Sequence, residues 1–203
     1  MRIQGLQKLT LLDYPGRTAC TVFLSGCNFR CPFCHNAPLL QGDTGDAMDE
    51  DALLMFLKKR QGVLDGVAVT GGEPLLRQEL PSLLEKIKAL GYAVKLDTNG
   101  AFPERLEAIV QAGLADYVAM DVKNSPERYA QTTGISELEL APIFKSVSFL
   151  LRGTVAYEFR TTAVAELHDD ASFGRLGDWL AGAERYFIQR FDVGFSRRQG
   201  DHL

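Results

Sequence analysis

Short apolar runs alternate along the chain with longer stretches in which apolar residues recur at helical spacing. Runs of about four to eight apolar residues are typical of buried strands, and amphipathic stretches of about ten or more are typical of surface helices. This pattern predicts six strands, over residues 20–24, 66–70, 93–97, 117–121, 157–162 and 185–189. It also predicts five helices, over residues 50–61, 77–90, 103–112, 142–152 and 171–182. The alternation is typical of an α/β fold with a parallel sheet covered by helices.

Residues with strong positional preferences mark several of these helix ends. Pro103 suits the first turn of its helix, and Gly91 and Gly113 stand where a glycine commonly follows a helix. Ser136 and Glu139 form a capping-box pattern ahead of the fourth predicted helix. These signals support the predicted boundaries.

The first 19 residues alternate loosely between apolar and polar and turn at Asp13-Tyr14-Pro15-Gly16. This pattern predicts a hairpin or an extended arm. The remainder contains no internal repeat, low-complexity stretch or linker. We therefore expect one domain over residues 1–203, long enough to bury its own core.

Composition and charge argue against several classes of function. The 46% hydrophobic and 24% charged residues are typical of a folded globular protein. A formal charge of −4 and a pI near 5.4 give no indication of nucleic-acid binding. The sequence starts without an apolar signal region and contains no run of membrane-spanning length, so we expect a cytoplasmic protein. In that reducing compartment, clustered cysteines favour metal or catalytic use over disulfides.

Polar and glycine-rich segments follow the first four predicted strands. They are Ser25-Gly26-Cys27, Gly71-Gly72-Glu73-Pro74, Thr98-Asn99-Gly100 and Asp121-Val122-Lys123. Two geometries fit the alternation, an open doubly wound sheet and a partial barrel, and in both the ligands bind at the carboxyl ends of the strands. The four segments therefore predict one site at that end of the sheet.

Cys27, Cys31 and Cys34 stand in a C-x3-C-x2-C spacing within the first of these segments. A four-iron, four-sulfide cubane usually takes four cysteines, so three would leave one iron open to a substrate or cofactor. Cys20 lies in a predicted core strand and is expected to be a small buried residue. The alternative is a zinc site with His35 as fourth ligand. Cys34 and His35 are adjacent in sequence, however, so their side chains are poorly placed to bind the same tetrahedral ion.

The cysteine spacing, on the loop after the first strand of a repeated β/α unit, resembles the radical SAM superfamily. The resemblance implies a partial (β/α)6 barrel and one 4Fe-4S cluster held by Cys27, Cys31 and Cys34, with S-adenosylmethionine at the open iron. It also implies reductive cleavage of that cofactor to a 5′-deoxyadenosyl radical, so that no side chain is expected to be catalytic in its own right.

The segment "TGGEP" at residues 70–74 resembles the glycine-rich segment with which this family binds the cofactor's amino group. The resemblance implies that Gly71, Gly72, Glu73 and Pro74 bind the cofactor. Physically, two glycines allow the main chain to come close to a ligand.

Three further segments, "GCNFRCPFCHN" at 26–36, "LDTNG" at 96–100 and "MDVK" at 120–123, resemble glycyl radical enzyme activating proteins. The resemblance adds seven residues to the predicted cofactor site: Phe33, Asn36, Asp97, Thr98, Asn99, Asp121 and Lys123. Two neighbouring carboxylates, Asp97 and Asp121, also suggest a shared monovalent cation, because close carboxylates otherwise repel each other.

Within the activating proteins, the chain resembles the short group of anaerobic ribonucleoside-triphosphate reductase activating proteins, including its opening "KLTLLDYPG". No cysteine follows Cys34, so the sequence lacks the ferredoxin insertion of longer members. The resemblance implies a glycyl radical enzyme as protein partner and an electron donor such as flavodoxin or ferredoxin.

Three hypotheses follow from these observations. The chain is a radical SAM activase, a radical SAM enzyme acting on a small molecule such as a deazapurine-type synthase, or a zinc or iron–sulfur binding module without catalysis. Iron and sulfide content separates the third from the other two. A short chain that leaves the side of its barrel open favours a protein loop as the substrate.

Overall fold

The computed structural model describes residues 1–41 and 47–191. Nine strands form in these residues, and seven of them make one sheet in the order β2-β3-β5-β6-β7-β8-β9. They are β1 (Arg2–Ile3), β2 (Gly5–Thr10), β3 (Ala19–Leu24), β4 (Met48–Asp49), β5 (Gly66–Gly71), β6 (Ala93–Thr98), β7 (Tyr117–Asp121), β8 (Ala156–Ala163) and β9 (Tyr186–Arg190). All six predicted strands are present, with boundaries shifted by one residue at most.

The six strands from β3 to β9 pair in parallel, and β2 lies antiparallel against β3. Within the described residues, β2 and β9 do not pair with each other, so the sheet stays open between them. The short strands β1 and β4 form a separate antiparallel pair. The predicted α/β fold with a partial barrel of six parallel strands is confirmed.

Six helices connect and cover these strands within the described residues: α1 (Glu50–Arg60), α2 (Leu80–Ala89), α3 (Pro103–Gln111), α4 (Tyr129–Thr133), α5 (Ala141–Leu151) and α6 (Asp170–Trp179). Three 3-10 turns, Ala37–Gln41, Pro74–Leu76 and Pro126–Arg128, lie in the connections. No described helix has the length and apolar character needed to cross a membrane.

The structure corrects two of the predicted helices. The helix predicted from residue 77 begins at Leu80, because residues 74–76 form a tight turn and Arg77 leaves it in extended backbone, with φ −82° and ψ 124°. The helix predicted to end at residue 182 ends at Trp179. Helix α4 was not predicted, since its five residues are too few to show a helical period.

The capping signals had mixed outcomes. Pro103 occupies the first turn of α3, and Gly91 and Gly113 follow their helices in left-handed backbone. The Ser136–Glu139 box is wrong, because α5 starts after Leu140 without any side-chain cap. A reciprocal box forms instead at α6, where Asp169 bonds the backbone N–H of Ser172 at 2.8 Å.

The two faces of the parallel strands differ in chemistry. Side chains such as Leu96, Val118 and Phe159 are fully buried and belong to the large apolar core that includes the helices. Alternate positions carry Lys95 and Arg160, which point away from this core toward the inside of the barrel. Because successive side chains of a strand face opposite ways, the apolar face packs against the helices while the polar face lines the inside of the barrel.

Candidate functional site

The loop that carries the three cysteines is tied to several distant elements through its backbone. Gly26 N–H donates to the carbonyl of Leu39 at 2.7 Å, which closes the loop on itself. Arg30 N–H donates to the carbonyl of Thr133 at 2.8 Å, at the end of α4. The loop therefore has a defined path although only its end, from Ala37, is helical.

The thiols of Cys27, Cys31 and Cys34 line one cavity of about 220 Å³. All four cysteines of the chain are free, and Cys20 lies fully buried in β3 within the core, as expected. Burial raises the pKa of Cys27 and Cys34, and raises that of Cys31 to about 11. Without bound metal these groups are thiols, and positively charged iron would favour the thiolates.

The three thiols are not arranged for a single ion. Among the described residues, no group of three or more His, Cys, Asp or Glu side chains is placed to hold one metal ion. A mononuclear zinc site would bring every ligand within about 2.3 Å of the same ion. In a cubane, each thiolate binds a different iron, which suits ligands spread around one cavity.

The same cavity collects most of the predicted site residues. Its walls include twelve of the fourteen: Cys27, Cys31, Phe33, Cys34, Asn36, Gly71, Gly72, Asp97, Thr98, Asn99, Asp121 and Lys123. Glu73 and Pro74, which were predicted to bind the cofactor, are not part of these walls. The strand-end rule therefore located the site, since the lining comes from loops and ends of neighbouring parallel strands.

Gly71 and Gly72 approach protein backbone closely, which the prediction had not anticipated. A Cβ at Gly71 would lie 2.1 Å from the carbonyl oxygen of Leu24, and Gly71 has a φ of 122°. A Cβ at Gly72 would lie 2.0 Å from the carbonyl oxygen of Gly26. The two glycines thus let the end of β5 press against the start of the cysteine loop.

Glu73 is fully buried behind the cavity wall. Its carboxylate accepts hydrogen bonds from Leu75 N–H at 3.0 Å, the Thr98 hydroxyl at 2.9 Å and Asn99 N–H at 2.6 Å. Burial raises the pKa of Glu73 to about 7, against the lowering effect of these donors. Glu73 therefore fixes the end of β6 to the glycine-rich segment.

Asp97 and Asp121 are joined by a guanidinium. Arg160 donates from Nε to Asp121 Oδ1 at 2.9 Å and from its terminal nitrogen to Asp97 Oδ2 at 3.2 Å. Lys123 Nζ lies 3.0 Å from Asp121 Oδ2, and Lys95 Nζ bonds Asp97 Oδ1. Burial opposes charge on Asp121, but Arg160 and Lys123 together hold the pKa of Asp121 below its usual range, so it is ionised.

Three positively charged side chains, Lys95, Lys123 and Arg160, therefore bond the two carboxylates for which a shared cation was predicted. Lys123 is partly buried in an ion pair, with 17% of its side chain exposed. The carboxylates nearest to Arg160 are those of Asp121 and Asp97, while Glu158 lies 4.0 Å away.

Aromatic rings cover the cysteine loop. Phe29 is buried edge-on against Tyr129, with ring centroids 6.5 Å apart. Phe33 packs edge-on against Phe191 at 6.0 Å, and His35 stacks on the same ring at 5.3 Å. This places His35 beside the cavity among aromatic neighbours.

Seven residues of the cavity walls were absent from the predicted set. Three belong to the cysteine loop and its helical end: Phe29, His35 and Leu40. The other four are polar strand residues: Thr70, Arg160, Thr162 and Gln189. Each of these four lies at or near the carboxyl end of a parallel strand, on the polar face. The alternation of strand residues was therefore the signal that would have found them.

Comparison with known proteins assigns this site to a family. Residues 21–152 match the Radical SAM superfamily. The chain belongs to this superfamily. It is therefore a radical SAM enzyme, and the hypothesis of a binding module without catalysis is set aside.

Several radical SAM relatives are similar over much of the chain. A protein of Methanocaldococcus jannaschii, whose name makes it a candidate glycyl-radical enzyme activating enzyme, is 30% identical over 198 residues, 94% of this chain and 80% of that protein. The pyruvate formate-lyase-activating enzyme of Listeria monocytogenes is 30% identical over 164 residues, 73% of this chain and 63% of the enzyme. The 7-carboxy-7-deazaguanine synthase of Hyperthermus butylicus is 38% identical over 91 residues, 44% of this chain and 38% of the synthase.

Solved structures agree on the fold. Streptococcus suis SuiB bound to S-adenosylmethionine superposes with a TM-score of 0.64 at 14% identity, over 90% of this chain and 47% of SuiB. The same protein bound to its precursor peptide SuiA gives 0.66 at 15% identity, over 90% of this chain and 44% of SuiB. At these identities the similarity concerns the fold alone.

The radical SAM family implies a 4Fe-4S cluster and S-adenosylmethionine, and the donor set of this chain fits them. Three free thiols on one loop line a polar cavity next to a glycine-rich turn. A cluster held by three thiolates retains one iron for another ligand.

Proposed function

We propose that this radical SAM enzyme is an activase that installs a glycyl radical on a partner enzyme such as anaerobic ribonucleotide reductase. The observation that carries the proposal is the relative named for glycyl-radical enzyme activation, which aligns with 94% of the chain. Its second support is the activating-protein pattern at the cysteine loop and at the ends of β6 and β7, all of which meet in one cavity.

In this proposal Cys27, Cys31 and Cys34 hold the cluster. When bound, the cluster and S-adenosylmethionine supply one-electron cleavage of the sulfonium to a 5′-deoxyadenosyl radical, the oxidising species for a substrate C–H bond. The protein side chains bind, orient and exclude water. Asn36 has a defined orientation for that task, since its amide donates to the Gly71 carbonyl at 2.8 Å.

The strand-end groups would hold the polar parts of the cofactor. Thr98 and Asn99 are fixed by Glu73, and the amide of Asn99 donates to Asn28 at 2.9 Å across the cavity edge. Lys123 offers a partly buried ammonium for a carboxylate. Gly71 and Gly72 line the cavity without side chains of their own, while Phe33 offers a ring for the adenine.

The open side of the barrel suits a polypeptide substrate. In the part of the chain that the structure describes, strand β9 is the last of the sheet, and its Phe187 and Ile188 are 49% and 56% exposed. A radical needs a site closed to water, and a loop from a partner protein could supply that closure. A glycine Cα–H is a suitable target because the flanking amides stabilise the resulting radical. The proposal also includes a flavodoxin or ferredoxin as electron donor and one domain over residues 1–203.

Anaerobic reconstitution with iron and sulfide, followed by reductant and S-adenosylmethionine, tests the proposal in two steps. We expect slow formation of 5′-deoxyadenosine by the protein alone, and faster formation with a glycyl radical enzyme encoded nearby. With that partner, an electron paramagnetic resonance doublet from a glycyl radical should appear. Cleavage that no glycyl radical enzyme accelerates would refute the activase role while leaving the cleavage chemistry intact.

A small-molecule reaction is the second candidate, favoured by the 38% identity to a 7-carboxy-7-deazaguanine synthase. That match covers 44% of the chain, against 94% for the activating-enzyme relative. Purine and pterin precursors offered in place of the protein partner separate the two candidates. Acceleration by such a precursor, without any glycyl radical, would establish the small-molecule reaction.

A further inference from the structure

We infer that Lys95 and Arg160 are built-in cationic partners of the Asp97–Asp121 pair, so that the site functions without a bound monovalent cation. Lys95 is thus a positioning residue that holds Asp97 in place. The inference concerns the charges of the cavity and is independent of which substrate the enzyme takes.

The first support is that every oxygen of the two carboxylates already has a cationic partner. Asp97 is bonded by Lys95 at Oδ1 and by Arg160 at Oδ2. Asp121 is bonded by Arg160 at Oδ1 and by Lys123 at Oδ2. A cation shared by the two carboxylates would have to compete with these three positively charged side chains and would lie close to their charges.

The second support is the burial of Lys95. Only 1% of its side chain is exposed, so it is unlike the great majority of lysines, which reach solvent. A buried ammonium requires an anionic partner, and Asp97 lies two residues further along the same face of β6. The sheet itself therefore fixes this lysine beneath the carboxylate.

The third support is the register of the sheet. Asp121 and Arg160 are direct partners in the parallel pairing of β7 and β8, so the guanidinium starts beside one carboxylate and reaches the other. Arg160 is 16% exposed, as is Asp97. The backbone pairing of β7 and β8 places Arg160 beside Asp121, so no bound ion is required to position the two side chains.

Removing the ammonium should create the cation site that the wild type lacks. In Lys95→Met, Asp97 Oδ1 loses its partner while the methionine leaves part of the former space of the lysine empty. A desolvated carboxylate in that position should take up K⁺ or Na⁺ from solution. The matched control is Lys88→Met, which removes a lysine paired with Asp116 at 2.7 Å far from the cavity, at 30% exposure.

The test measures the melting temperature of the full chain, with the cluster reconstituted and without it, in KCl, NaCl and choline chloride at equal ionic strength. We expect no specific K⁺ or Na⁺ effect for the wild type and Lys88→Met. For Lys95→Met we expect a rise of about 4 °C when the cation reaches tenfold its dissociation constant. The double variant Lys95→Met/Asp97→Asn should lose that response, because the vacant carboxylate is gone.

Two results would overturn the inference. One is a wild-type protein stabilised by K⁺ or Na⁺ over choline, since its site would then hold a cation. The other is a folded Lys95→Met protein without any cation response. If Lys95→Met does not fold in any of the salts, the wild-type measurement and direct thallium(I) binding to the wild type still decide, because saturable Tl⁺ binding would contradict a built-in partner.

Discussion

At the residue scale, the polar side chains at the ends of β6 and β7 are held by identified partners. Asn99 illustrates this, because its backbone is fixed by Glu73 and its amide by Asn28 on the cysteine loop. One residue thereby connects β6 to the loop that carries the thiols. Substitution of Asn99 should therefore affect cluster binding and cofactor binding together.

The three clustered cysteines should be distinguishable from the fourth. We expect Cys27→Ala, Cys31→Ala or Cys34→Ala to abolish the 4Fe-4S cluster, because each change leaves an iron without its thiolate. Cys20→Ala should keep the cluster at a cost of about 1 kcal/mol in stability, since it only trims a core residue. Iron and sulfide content after reconstitution measures the difference. Loss of the cluster in Cys20→Ala would contradict this ligand assignment.

Glu73 should make stability depend on pH. Its pKa is raised in the folded protein to about 7, so folding favours the protonated form. The stability it contributes is therefore fully present below its unfolded pKa of about 4.5 and is lost as the pH rises through about 7, by an amount on the order of 3 kcal/mol.

Urea unfolding between pH 4.5 and pH 7.5 tests this expectation. The wild type should lose more stability over that range than Glu73→Gln, which cannot titrate. Glu73→Gln should also be less stable than the protonated wild type, because its amide group meets the Asn99 N–H donor. Parallel pH profiles for the two proteins would contradict the shifted pKa.

Sequence reasoning reached the residues whose role follows from local spacing. The cysteines and the strand ends at Asp97 and Asp121 belong to this group, because parallel strands end at a common edge. The burial of Glu73 depends on how β5 and β6 pair, which single-strand patterns do not reveal. The bond between Arg160 and Asp121 could not be predicted for the same reason, since it follows from the register of β7 and β8.

At the element scale, the site depends on two turns that press against each other. The end of β5 lies on the cysteine loop, where Gly72 N–H donates to the Leu24 carbonyl and Glu73 N–H donates to the Gly26 carbonyl, both at 2.8 Å. The tight turn over Pro74–Leu76 follows this contact directly. Helix α2 therefore begins at Leu80, and not at residue 77 as the sequence pattern predicted.

Gly72→Ala should disturb this contact and the cluster together. Its Cβ would lie 2.0 Å from the Gly26 oxygen, so one backbone segment must move. We expect a loss of about 1–3 kcal/mol in stability and a lower yield of reconstituted cluster. Chemical denaturation and iron content measure both.

The control for this change is Gly174→Ala, on the exposed side of α6, where a Cβ meets no atom within 4 Å. It should be neutral or stabilising by up to about 1 kcal/mol, as expected for alanine in a helix. A Gly72→Ala protein with normal stability and a full cluster would show that the two turns are not in rigid contact.

At the scale of the whole molecule, the sheet runs from a buried centre to an exposed edge. Strands β5, β6 and β7 lie between neighbours on both sides, and their outward side chains are buried under helices. Among the described residues, strand β9 pairs with β8 alone, and four of its five residues are exposed. The central strands that carry the candidate site are therefore more buried than the edge strand β9.

Hydrogen–deuterium exchange should report this gradient. We expect amides of β6 and β7 to exchange slowest, near the rate of global unfolding, and those of β9 to exchange orders of magnitude faster, because edge strands open locally. Mass spectrometry of peptic peptides resolves the two regions. Equal protection of β9 and β6 in the isolated chain would contradict an open edge.

The bond between Arg30 and Thr133 has a consequence for synthesis of the chain. The three cysteines are synthesised about one hundred residues before Thr133, whose carbonyl anchors their loop. At a translation rate of about 5–20 residues per second, this interval lasts on the order of ten seconds. During that interval the loop lacks this bond, so we expect it to reach its final path only after translation has passed α4.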